Sequence, residues 1–165
     1  MSSTIGTIFG EIQLKEPSEL ENTNLVEEFS GQFQTDWTIP EAYMCVLLSA
    51  VYADGIDTPE EIEYLRSLAR RCQTLKGRDS NELAKINVTV TERMQSRPDA
   101  LGEACRTLPR EMHMTLFAHC IDIVLADGEL AHSEEEFLNL VMEKFRLRPE
   151  DAKQIMQVIF MKNRY

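Results

Sequence analysis

Glycine and proline are scarce in this chain, seven and six among 165 residues, too few for the turn-dense path of an all-β fold. Cysteine occurs four times, at Cys45, Cys72, Cys105 and Cys120, with no Cys-x-x-Cys pair and no histidine at zinc-finger spacing. The thiols therefore read as free and buried, as in a reducing compartment. Positive charge is short as well: 17 Lys and Arg face 28 Asp and Glu, for a net charge of −11. A phosphate-binding partner needs a basic footprint, so nucleic acid is excluded. No run of about 18 apolar residues is present to span a membrane, and Met1 to Glu16 lacks the basic and apolar blocks of a secretory leader. The expectation is a cytoplasmic protein. Glycine-rich phosphate loops and Ser-His-Asp or Cys-His catalytic patterns are also missing.

What is present is helical periodicity. A chain of this length buries roughly two thirds of its unfolded surface around one core, and its hydrophobic share of 43% is ordinary for a globular protein. Residues 1–17 read as a flexible N-terminal arm, with room for one short strand, and residues 18–165 as one helical domain. Leu20, Leu25, Val26, Phe29 and Phe33 give an imperfect helical stripe over Ser18–Gln34. A helix from Pro40 to Ala53 is apolar nearly all round and is expected at the centre. Thr58-Pro59-Glu60-Glu61 combines a cap, a first-turn proline and a glutamate at the third helical position, a strong start signal. That helix carries Ile62, Leu65, Leu68, Ala69 and Cys72, and Lys76-Gly77 reads as its end. Further helices are expected over Ser80–Gln95, Asp99–Leu108, Pro109–Ala126, Ser133–Phe145 and from Pro149 through Phe160. Val88 to Thr91 has strand propensity that competes with the first of these.

An internal repeat carries the most information. Shifting the sequence by 73 residues lays Met44–Cys72 on Phe117–Phe145 without a gap, giving repeat units of about 41–72 and 114–145. Apolar positions then coincide, Ala53-Asp54-Gly55 falls on Ala126-Asp127-Gly128, and Glu61 falls on Glu134. A turn alone accounts for each loop, with glycine in a left-handed conformation and Glu61 completing a capping box. It does not explain why both loops use Asp-Gly. Packed face to face, the two units would bring Asp54, Glu61, Asp127 and Glu134 together, and such a cluster repels itself unless a cation or protons intervene. Oxygen-only ligands favour Ca²⁺, Mg²⁺ or Mn²⁺ over Zn²⁺. An EF-hand is excluded, because its first and third ligand positions would be Ala50 and Tyr52, then Ile123 and Leu125. In the second copy Ser133 is an alternative cap, paired with Glu136, which would move the match from Glu134 to a neighbour. Thr115, His119 and Asp122 share one helical face, readable as a polar stripe, an Asp–His hydrogen bond, or support for the acidic site.

Val51 to Glu61 and Ile123 to Glu129 resemble the two acidic loops of the TerB-like tellurite-resistance domains, a likeness that runs from about Pro40 to Val158. The resemblance implies a bundle of about seven helices with an acidic metal centre, linked to tellurite resistance and stress responses. Carried over by motif position, that centre would use Asp54, Glu60 or Glu61, Asp127, and Glu134 or Glu135. The expected protein is all-α and non-enzymatic, a metal-binding accessory protein whose two Asp-Gly loops share a divalent ion. An acidic protein–protein interaction module without metal and a metal-dependent hydrolase are the alternatives.

Overall fold

The computed structural model describes residues 2–7, 10–15, 35–56 and 58–164. Two antiparallel strands, β1 (Ser2–Thr7) and β2 (Gly10–Lys15), precede seven helices among the described residues. These are α1 (Ile39–Val51), α2 (Pro59–Arg71), α3 (Ser80–Ser96), α4 (Ala100–Thr107), α5 (Arg110–Val124), α6 (His132–Lys144) and α7 (Pro149–Lys162). The domain is all-α from Ile39 onward. The helix expected over Ser18–Gln34 lies outside the described residues.

Local chemistry sets the helix starts. Thr38, Thr58 and Asp79 each accept the backbone N–H three residues on, and Glu41, Glu61 and Glu82 return the bond to the cap N–H. Proline in the first turn of α1, α2 and α7 adds a preset φ where no hydrogen bond is lost. The capping box at Asp79 also settles the competition in α3: Val88 to Thr91 are helical, with Val90 alone in that helix buried. α1 and α5 each stop two residues short of the expected Ala53 and Ala126, at Val51 and Val124, and two further boundaries differ for identifiable reasons. α2 ends at Arg71, not near Lys76, because Cys72 is extended and its carbonyl takes the N–H groups of Leu75 and Lys76. That turn drives Leu75 fully into the core. α6 starts at His132 rather than Ser133, since Glu134 accepts the Ala131 N–H at 2.7 Å. This half of a capping box needs a backbone donor only, so alanine suffices as cap.

α1 and α5 form the centre. α3 and α4 pack on α1, α6 and α7 pack on α5, and α2 bridges the two central helices. Leu47, Leu116, Phe117, Ile121, Leu138 and Met142 are among the fully buried side chains, each stabilising the fold by about 1.5–3 kcal/mol. The entry to α1 is held by Trp37. Its indole N–H donates to Glu103 at 2.9 Å, and the Arg93 guanidinium lies 4.7 Å from the ring centroid. Arg97 bonds Glu103 and Asp36, tying α3 and α4 to the start of α1.

Candidate functional site

Both acidic loops are built the same way. After α1, Tyr52 N–H bonds Leu48 and Gly55 N–H bonds Tyr52. Gly55 takes φ 76°, a left-handed conformation favourable to glycine. After α5, Leu125 N–H bonds Ile121, Gly128 N–H bonds Leu125, and Gly128 takes φ 84°. Asp54 Oδ1 accepts the Ile56 N–H at 2.9 Å, as Asp127 Oδ1 accepts that of Glu129 at 2.9 Å. Each Asp thus closes its own turn through one carboxylate oxygen. Each loop then leads into a helix of 13 residues.

Glu61 and Glu134 are the two buried charged residues among the described residues, 2% and 3% exposed. Glu61 Oε2 accepts from the Thr58 N–H at 2.9 Å and the Thr58 hydroxyl at 3.0 Å; Glu134 Oε2 accepts from Ala131. Among the described residues neither glutamate meets a cationic side chain, and Asp54 Oδ2, Asp127 Oδ2, Glu61 Oε1 and Glu134 Oε1 accept no hydrogen bond from the protein. Burial pushes Glu134 up to about 7, with the Ala131 N–H opposing and the charges of Asp54, Glu61 and Asp127 adding to the rise. Burial likewise raises Glu61 against the Thr58 hydrogen bonds, again with Asp54 and Asp127 contributing. Loops 73 residues apart in sequence therefore act on the same pair of glutamates.

The remaining candidates fall elsewhere. Glu60 is exposed and lines, with Asp127 and Gly128, an open groove of about 900 Å³ between the first turn of α2 and the end of α5. Glu135 is half-buried, one position along α6 and so turned by about 100° from Glu134. Asp122 is neutralised by Lys162, whose Nζ donates at 2.6 Å, and accepts the Tyr64 hydroxyl at 2.9 Å. His119 meets Tyr64, 3.4 Å from its Nδ1, so the chain of contacts runs His119–Tyr64–Asp122. Tyr64 and Lys162 carried no signal of their own in the sequence, although Tyr64 sits three positions after Glu61.

Among the described residues no three His, Cys, Asp or Glu side chains form a ready-made metal-ligating group. The chemistry of these four side chains would fit a hard cation: all present carboxylate oxygen, Glu61 and Glu134 are buried without a counter-charge, and one oxygen of each is spare.

A family model described as tellurite resistance protein TerB matches residues 40–157. The chain belongs to the TerB family. Its matched span begins at the first turn of α1 and ends within α7, so it takes in both acidic loops, α2 through α6 and most of α1 and α7. No curated protein and no solved structure matches the chain. Membership of the TerB family makes it an accessory protein of the tellurite-resistance type. No helix among the described residues is long and apolar enough to cross a membrane.

Proposed function

We propose that this TerB-family protein is a non-enzymatic accessory protein that binds one divalent cation between its two Asp-Gly loops. The observation that carries the reading is the pair Glu61 and Glu134, buried without cationic partners and under the charge of both loop aspartates. Burying unpaired carboxylates is unfavourable unless protons or a cation neutralise them. Asp54, Asp127, Glu61 and Glu134 would hold the ion through their spare oxygens, leaving the turn and cap hydrogen bonds in place. Such hard ligands select Ca²⁺, Mg²⁺ or Mn²⁺ over Zn²⁺.

The competing reading is an acidic interaction module that stays metal-free. It is favoured by the lack of a ready-made ligand arrangement among the described residues and by the completed cap at Thr58. Calorimetric titration of chelator-treated protein with Ca²⁺, Mg²⁺, Mn²⁺ and Zn²⁺ separates the two. A saturable isotherm at one ion per chain, accompanied by proton release near neutral pH, is expected for the shared site. Flat isotherms with all four ions would leave the interaction module standing.

A further inference from the structure

A second groove, of about 580 Å³, opens between α2 and α5 on the far side of the Tyr64–Asp122–Lys162 wall from the acidic loops. Its volume lies in the range of small-molecule sites. Tyr43 and Leu68 lie buried beneath its floor, the half-buried Tyr64, Cys72 and Met112 offer it apolar surface, and Arg71 and His119 line it as polar groups. The charges are unequal in availability. Lys162 is occupied by Asp122 at 2.6 Å, whereas Arg71, at the end of α2, is exposed and forms no ion pair among the described residues. Arg71 lines the groove beside His119; burial lowers the His119 pKa, Asp122 opposes, and Arg71 and Lys162 reinforce the depression. Arg71 likewise acts on the Tyr64 hydroxyl against the stronger effects of burial and Asp122.

We propose that this groove binds a small monocarboxylate with an apolar body, its carboxylate forked by Arg71 and its body laid against the half-buried Tyr64, Cys72 and Met112. One free guanidinium matches a carboxylate in bidentate geometry. A dianion or polyphosphate is disfavoured, because the second charge finds only paired Lys162 and the exposed Glu111 in a protein of net charge −11. The ordinary alternative is that Arg71 merely complements the C-terminal dipole of α2 and stays solvated.

Cys72 provides an independent probe. It lines the groove and is half-buried, while Cys45, Cys105 and Cys120 are buried. Burial holds the Cys72 thiol above its ordinary value, so iodoacetamide is applied at about pH 9.5, where the one half-buried thiol should alkylate ahead of the three buried ones. Chelator-treated protein is titrated with benzoate, and with benzamide as the uncharged isostere, following backbone amide shifts by NMR and the rate of Cys72 alkylation. Benzoate is expected to saturate shifts around Tyr64, Cys72 and His119 in the millimolar range and to slow alkylation at least threefold, with benzamide at least tenfold weaker. Arg71→Gln, at an exposed position that leaves the core intact, should weaken benzoate at least tenfold, and Arg71→Lys should fall between. Equal binding of benzamide, unchanged benzoate affinity in Arg71→Gln, alkylation indifferent to benzoate, or no saturation would each overturn the proposal. Because the metal is stripped throughout, these outcomes are independent of the cation reading.

Discussion

At Glu134 the physics reduces to one buried carboxyl. Its folded-state pKa, about 7, lies above the ordinary 4.5, so the folded protein holds this proton more tightly than the unfolded chain. The sign follows: the stabilisation is complete below pH 4.5 and is lost as pH rises through 7. In the metal-free protein that loss is on the order of 2 kcal/mol, taking each pKa unit as about 1.4 kcal/mol and allowing for relaxation of the site. His119, whose pKa is lowered by burial, gives the opposite slope below its ordinary value. The difference between parent and Glu134→Gln isolates the carboxyl. Urea denaturation without metal should find Glu134→Gln more stable than the parent by about 1–2 kcal/mol at pH 8, with the gap closing or reversing at pH 5. A gap independent of pH would show that the carboxyl titrates normally. Gly55 makes a second case at this scale. A Cβ there meets nothing within 4 Å, and only φ 76° resists it. Gly55→Ala should then cost about 1 kcal/mol through backbone strain, without a clash, measured as a shift in the denaturation midpoint at unchanged slope.

Among elements, the two helices that follow the acidic loops offer a controlled comparison. α2 begins with a full capping box at Thr58, whereas α6 begins at Ala131 with only the glutamate half. Ala131→Thr should supply the missing acceptor and raise stability by about 0.5–1 kcal/mol, read by thermal or urea denaturation; no gain would mean that the cap geometry differs between the copies. These helices were legible because their signals are local. A threonine, a proline and a glutamate within four residues announce α2, and the 73-residue offset exposes its counterpart α6. The same locality explains what was not legible. Trp37 meets Glu103 across 66 residues, and Lys162 meets Asp122 across 40, so neither pairing leaves a periodic trace. The early end of α2 depended on Leu75 finding a place in the core, a tertiary effect that overrides the glycine signal at Gly77. Of the candidate site, Asp54, Asp127, Glu61 and Glu134 were readable from the repeat. The repeat favoured Glu134 over Glu135, and the register of α6 buries Glu134 while leaving Glu135 half-exposed. Trp37→Ala, which removes the indole hydrogen bond and the stacked Arg93 together, should destabilise the domain by about 3–5 kcal/mol. A loss below about 1 kcal/mol would demote the Trp37 cluster to surface decoration.

On the scale of the whole molecule, the question is whether the two repeat units function as one site. Each unit alone supplies a turn-bound aspartate and a cap-bound glutamate, which is a weak ligand set with a single spare oxygen per side chain. Through the packing of α2 and α6 around the α1–α5 centre, the charges of both aspartates act on both glutamates. If one ion bridges them, it links the N-terminal and C-terminal halves of the domain, and its binding energy adds to folding stability by about 2.7 kcal/mol at a hundredfold excess over Kd. Asp54→Asn should abolish most of that metal-dependent stabilisation, Asp127→Asn should do the same, and the double variant should lose little more, because residues sharing a partner are not additive. In chelator the substitutions should leave stability unchanged or raise it by about 0.5 kcal/mol, since each removes a charge that repels Glu61 and Glu134. Thermal denaturation of the four proteins with and without Mn²⁺ or Ca²⁺ measures both halves of this expectation. Additive losses at two ions per chain would mean two separate sites, each confined to its own loop. Metal-insensitive denaturation in all four proteins would reduce the Asp-Gly repeats to turns and leave protonation as the means by which the buried glutamates are neutralised.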